Sequence, residues 1–238
     1  MARDLLSRIA SGELAVGSVL PKEDALAKSY GVNRGVVREA VKLLEVHRLV
    51  RPVRRRGTVV LDPLGSMSAE VLVALLAPRP GHIDRHVLAG FLEVRAVLDA
   101  QMAELAAERR TQADVRAMRG CLAELEESLA DPARYGARVD RMARLVARAT
   151  KNPLYEMFAA YNAHVARELG TALLVIRPPS REHLDAMRIL VDVIDQKESA
   201  AARRLVTEFH AWGTPRILAA ASLASGESLR RIAKEMER

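Results

Sequence analysis

Leu26-Ala27-Lys28-Ser29-Tyr30-Gly31-Val32-Asn33-Arg34-Gly35-Val36-Val37-Arg38-Glu39-Ala40-Val41-Lys42-Leu43-Leu44 is the stretch on which the reading of this chain turns. Lys22–Tyr30 reads as a short helix, with Ala25, Leu26 and Tyr30 spaced to face a core. Gly31 is placed to close it in the left-handed conformation. Val32 bridges the turn, and Asn33 is a good N-cap for a second helix over Arg34–His47. Val36, Val37, Ala40, Val41 and Leu44 recur there at helical spacing and are expected inside. Gly35, Arg38, Lys42 and Glu45 point elsewhere. Two short helices joined by a glycine-containing turn make a helix-turn-helix.

Upstream, residues 4–9 can form a helix ending near Ser11-Gly12, and Gly17, Ser18 and Pro21 mark a turn region. Downstream, Leu49–Val53 and Thr58–Leu61 are β-prone runs flanking Arg54-Arg55-Arg56-Gly57, so a hairpin with a basic tip is expected. The whole reads as a winged helix-turn-helix over residues 1–62. Arg34 and Arg38 share one helix face. Arginine binds guanine O6 and N7 in bidentate fashion, and basic wing residues follow phosphates or the neighbouring minor groove. The DNA-contacting set is therefore Asn33, Arg34, Gly35, Arg38, Arg54, Arg55, Arg56, Gly57 and Thr58.

Charge supports this division. Residues 1–62 carry twelve Lys and Arg against seven Asp and Glu. The net charge of the whole chain is +7, so most of the excess sits in the first quarter, as expected of a nucleic-acid-binding head on a near-neutral body. Met1–Ser11 alternates charged and apolar residues, unlike a signal peptide. No apolar run approaches the length of a membrane span. The one cysteine, Cys121, has no internal disulfide partner, which suits a reducing cytoplasm.

Beyond Asp62 the pattern is helical. Residues 63–80 read as a connector with one short helix, Ala69–Leu76. Residues 81–223 read as an all-α bundle of about six or seven helices, near 85–109, 112–129, 133–150, 153–175, 181–196 and 199–223. Thr111 with Asp114 suggests a capping box, Asn152-Pro153 a cap followed by proline at the first helical position, and Ser180 a further cap. Residues 224–238 form a charged tail. Aromatic residues are only 3% of the chain, so the core must be built mainly from Leu, Val, Ala and Ile. The fold class is mainly α.

Specific residues carry a family resemblance. Ile9, Gly12, Gly17, Leu20-Pro21, Glu23, Leu26-Ala27, Gly31-Val32-Asn33-Arg34, Val37-Arg38-Glu39-Ala40, Leu44 and Gly57-Thr58 resemble the DNA-binding domain of the GntR family. Asn33 stands where Ser or Thr is commoner. Asp24 stands where some members place a DNA-contacting arginine. Leu92-Glu93, Arg95, Ala106-Ala107-Glu108-Arg109, Asp140, Asn152-Pro153, Glu182-His183 and His210 resemble the FCD-type effector domain of the family's FadR-like branch. The resemblance implies a homodimeric, ligand-responsive transcription regulator, a repressor, on a short palindromic operator. It also implies a helical cavity for a small carboxylate or acyl-type metabolite, lined by Arg95, Asp140, Arg144, His183 and His210. Many members hold a divalent metal there, zinc or nickel by donor type, and Asp140, His183 and His210 are the ligands implied.

The residue four after Asp140 is Arg144, which cannot ligate a metal. Two readings of the cavity therefore stay open: a metal site, with His164 able to compensate, or direct anion binding by Arg95 and Arg144. A helix ion pair between Asp140 and Arg144 is a third role for that arginine. Two other functions are weighed against the sensor: a constitutive DNA-binding protein, and a metal-dependent enzyme. No paired acid and base, nucleophile triad or glycine-rich phosphate loop supports the enzyme.

Overall fold

A computed structural model describes residues 1–79, 81–169 and 179–223. The expected charged tail, and residues 170–175 of the expected helix 153–175, lie outside the described residues. Chain packing separates two compact units, Met1–Asp84 and a second beginning at Arg85. Ten α-helices and one two-stranded sheet make up the regular structure of the described residues.

The first unit runs α1 (Ala2–Ala10), α2 (Glu23–Tyr30), α3 (Arg34–Val46), β1 (Val50–Val53), β2 (Gly57–Val60), a 3-10 turn (Pro63–Gly65) and α4 (Ala69–Leu76). Gly31 ends α2 with φ +64°, in the left-handed region that glycine enters without a Cβ penalty. Leu5, Ile9, Leu26, Val37, Leu44, Leu49 and Val60 form its buried core. The strands pair antiparallel in the register Val50–Val60, Arg51–Val59, Pro52–Thr58 and Val53–Gly57. Proline is tolerated at Pro52 because edge strands need not donate on both sides.

Three differences from the sequence reading have physical causes. Val36 is 44% exposed and Ala25 is exposed. A two-turn or four-turn helix in so small a unit buries one stripe, and here Val37, Ala40 and Leu44 fill it on α3. On α2, Leu26 takes that place and Ala27 packs beside it. The stretch read as a turn, around Gly17–Leu20, adds a further rung to the sheet. Val19 bridges Val59, Leu20 N–H donates to the Thr58 carbonyl at 2.8 Å, and Val60 N–H donates to the Ser18 carbonyl at 2.9 Å. The helix expected in the connector forms with the bounds read, Ala69–Leu76, but belongs to the first unit: it packs on α1 and brings Val71 and Ala74 into the core.

The second unit runs α5 (Arg85–Arg109), α6 (Gln112–Glu127), α7 (Pro132–Ala149), α8 (Pro153–Leu169), α9 (Arg181–Asp195) and α10 (Ser199–Leu223). The two longest helices, α5 and α10, pack along one another. α7 lies between α5, α6 and α8, and α9 touches α5, α6 and α10. Buried Ala103, Ala106, Ala107, Ala147 and Ala202 let the backbones approach closely. Met118, Leu125, Met142, Leu184 and Ile194 fill the remaining volume.

Caps fix the helix starts. Thr111 Oγ1 accepts from Asp114 N–H at 3.2 Å while Asp114 Oδ2 accepts from Thr111 N–H at 2.7 Å, a complete capping box. Asn152 Oδ1 accepts from Leu154 N–H at 3.1 Å, and Ser180 Oγ from His183 N–H at 3.1 Å. Each satisfies an N–H that the helix itself cannot. Among the described residues no helix is long and apolar enough to cross a membrane.

Candidate functional site

Two sites emerge, one in each unit. In the first, Asn33 Oδ1 accepts from the Val36 N–H at 3.0 Å, which fixes the first turn of α3. Gly35 sits inside that turn, where a Cβ would come 3.1 Å from Asn33 Oδ1. Arg34 and Arg38 emerge from α3 one turn apart, with side chains 66% and 62% exposed. Each is held by a carboxylate of α2. Arg34 Nε pairs with Asp24 Oδ1, and Arg38 Nε donates to Glu23 Oε2 at 2.8 Å.

The wing turn is strained where it must be. Arg55 has φ +66° and Gly57 φ +106°, and a Cβ on Gly57 would lie 2.8 Å from Val19 Cγ1. Arg56 Nη2 donates to the Gly17 carbonyl at 3.0 Å, tying the wing to the extra rung. Thr58 is half-buried and its carbonyl joins the sheet. Arg54 and Arg55 are exposed, and among the described residues neither has an ion-pair partner. The nine residues singled out from sequence thus divide by position. Arg34 and Arg38 present exposed guanidinium groups paired along Nε with Asp24 and Glu23, and Arg54 and Arg55 present exposed ones on the wing. Asn33, Gly35, Arg56, Gly57 and Thr58 hold the backbone that presents them.

In the second unit a cavity of about 800 Å³ opens between α5, α7, α8, α9 and α10. Arg95, Asp140, Arg144, His183 and His210 all line it, although they come from four helices. A smaller apolar pocket of about 100 Å³ shares Arg95, Val139, Phe209 and His210 with it. Sequence reasoning missed Asp99, which organises the inner wall. Arg95 Nε donates to Asp99 Oδ2 at 3.1 Å, and His210 Nε2 lies 3.1 Å from the same oxygen. Burial alone would raise the Asp99 carboxyl. The Arg95 charge and the His210 hydrogen bond outweigh it and hold the group below its ordinary value. The Arg95–Asp99 spacing of four residues was the available signal.

His183 is buried, with Nδ1 at 2.9 Å from the Tyr135 hydroxyl, and its ring lies 5.4 Å from that of Phe209. The Arg216 guanidinium lies over the Trp212 ring at 4.3 Å. Arg144 is exposed at the cavity wall.

The described residues do not assemble the donor set that the implied metal would need. Among the described residues no three His, Cys, Asp or Glu side chains come together to hold an ion. Asp140, His183 and His210 line one cavity without forming such a group. His210 is engaged with Asp99, and the position one turn after Asp140 carries a guanidinium. His164 does not complete a set with them.

The comparisons with known proteins follow this division. The family model for the FCD domain matches residues 91–211, just over half the chain. The model for bacterial regulatory proteins of the gntR family matches residues 1–60. The chain is a gntR-family protein with an FCD domain.

This gntR-family protein is 36% identical over 124 residues to the HTH-type transcriptional regulator LutR of Bacillus subtilis, covering 52% of this chain and 54% of LutR. It is 34% identical over 133 residues to the Uxu operon transcriptional regulator of Escherichia coli, covering 56% of this chain and 48% of that one. The chain therefore spans about half the length of the curated relatives it matches. The fold is similar to the solved structure of Lar from Listeria monocytogenes, with a TM-score of 0.63 at 18% identity, covering 91% of this chain and 94% of that one. The family and these relatives are regulators, which sets aside the reading as a metal-dependent enzyme.

Proposed function

We propose that this gntR-family protein is a DNA-binding repressor that seats two copies on a short palindromic operator and responds to a small acidic metabolite. The observation that carries it is the pair of outward guanidinium groups on the capped helix α3, beside a wing tip bearing Arg54 and Arg55. A helix of this kind enters the major groove, and the wing follows the backbone alongside. A second copy is supported by apolar side chains left on α5 and α8 at one-turn spacing. Val94 and Val97 are 57% and 63% exposed, and Leu154 and Met157 each 67%. A two-fold dimer matches a palindrome, and a dimer covering a promoter excludes polymerase. Cytoplasmic placement follows from the DNA partner.

The cavity volume lies in the range of small-molecule sites. Because Asp99 neutralises Arg95, Arg144 is the cation from the expected set left to meet a carboxylate or acyl-type anion, with Arg167 and Arg216 also at the cavity wall and no metal required. Such a ligand changes DNA binding only by favouring one of two states. Loss of sensing is disfavoured by the open, lined cavity.

Footprinting of the DNA flanking the protein's own gene tests the proposal, with Arg38→Ala beside the wild type. The wild type should protect a palindrome, and the variant should bind it more weakly by about 1–3 kcal/mol. Equal affinity of the two would refute the role given to α3. A thermal-shift screen of organic acids and acyl-CoAs should return at least one stabiliser.

A further inference from the structure

We infer that Asp24 is a specificity-determining residue: it fixes the rotation of Arg34 and itself accepts a hydrogen bond from a cytosine beside the guanine that Arg34 reads. This rests on the DNA-binding reading above. Asp24 is the second residue of α2 and Arg34 the first of α3. They face each other across the turn that Gly31 creates. The contact uses Arg34 Nε and Asp24 Oδ1. A guanidinium held along its Nε edge keeps its two terminal nitrogens for an end-on approach to guanine O6 and N7. One orientation of the fork is selected before DNA arrives, so less rotamer freedom is lost on binding.

The contact with Arg34 is made through Oδ1, and the Asp24 side chain is 63% exposed. An ionised carboxylate accepts hydrogen bonds and donates none. Against a base edge it therefore rejects guanine O6 and N7 and thymine O4. It accepts from the cytosine N4 amino group, whereas adenine sets an N7 acceptor, which repels the carboxylate, beside its N6 donor. It also repels phosphate, so the pair penalises any register in which α3 rides on the backbone instead of the groove. Arg38 is rotated in the same manner by Glu23. Glu23 is only 43% exposed, against 63% for Asp24, which leaves Asp24 as the carboxylate presented to a base. Exposed ion pairs add little to stability, so Asp24 can be changed without unfolding the unit.

The test selects binding sites for the full-length protein from a pool of randomised duplex DNA, with wild type, Asp24→Ala and Asp24→Glu in parallel. Circular dichroism of each variant verifies folding. Wild type should enrich a palindrome in which one position next to an invariant guanine favours cytosine by about tenfold. Asp24→Ala should flatten that position to within about twofold of even and bind a scrambled duplex more tightly. Asp24→Glu should keep the preference. Enrichment of no sequence by the wild type would overturn the DNA-binding reading itself. Enrichment of one palindrome with the same base frequencies by wild type and Asp24→Ala would overturn the role of Asp24 alone.

Discussion

Replacing Asp99 by asparagine removes one charge and almost no volume, which makes it a sharp test of how the cavity wall is held. Asp99 and Arg95 are only 20% and 22% exposed as side chains, so water screens them little. A charge pair at 3.1 Å attracts by about 5 kcal/mol at an effective dielectric near 20. Desolvation of both ions offsets much of that. The variant leaves Arg95 without its counter-ion, and the loss expected is about 2–3 kcal/mol. Trp212 is the chain's sole tryptophan and lies two residues beyond His210 on α10, so its fluorescence reports the second unit selectively. With a urea slope of about 2 kcal/mol per molar, the midpoint should fall by about 1 M. The pH dependence supplies the sign. The Asp99 carboxyl sits below its ordinary value of 3.8 because Arg95 and His210 overcome the effect of burial. Its contribution is complete above that ordinary value and is lost as pH falls through the depressed one. The gap between wild type and Asp99→Asn should therefore be widest at neutral pH and close in strong acid. A gap below about 0.5 kcal/mol at neutral pH, or one that does not narrow in acid, would refute this account of the wall.

Two further outcomes are expected. Gly57→Ala places a Cβ at φ +106° and 2.8 Å from Val19 Cγ1; it should destabilise the first unit by more than about 1 kcal/mol. Hydrogen exchange at the Leu20 and Val60 amides should quicken with it, and unchanged protection would show the wing tolerates a side chain there. Burial pushes the Cys121 thiol up, and the residue is fully buried. A disulfide reagent should therefore label the native protein orders of magnitude more slowly than the urea-unfolded chain, and rapid native labelling at pH 8 would contradict that burial.

Much of this was readable along the chain because it is local. Gly31 closing α2, Asn33 capping α3 and the Thr111–Asp114 box each depend on residues within one turn. The bounds of α4, α5 and α10 agree with the helical pattern of the sequence. What failed to read depends on distant partners. Nothing local says that the backbone of Gly17–Leu20 will meet β2, since glycine and serine there announce a turn whether or not a strand lies beside it. Val36 and Ala25 carry the right spacing for burial, yet the neighbours of α3, which are α1, α2 and β1, cover the stripe of Val37, Ala40 and Leu44 and leave Val36 outside it. The cavity residues were nameable, but their roles were not. Arg95 and His210 are separated by over a hundred residues and meet on Asp99, and that contact decides that Arg95 is already neutralised and His210 already engaged.

The same chemical pair does different work according to burial. Arg34 with Asp24 and Arg38 with Glu23 lie in solvent, where an ion pair contributes under about 1 kcal/mol. Their consequence is direction: a guanidinium that would sample many rotamers is offered to DNA in few. Arg95 with Asp99 lies inside, where either charge alone would be costly, so its consequence is stability. Charge removal should accordingly separate the two. Asp24→Ala should leave folding alone and change which bases are chosen, while Asp99→Asn should change folding and leave base choice alone. Sequence spacing hints at the inner pair, four residues apart on one helix, and gives no hint of the outer ones, which form only because Gly31 turns α3 back across the start of α2.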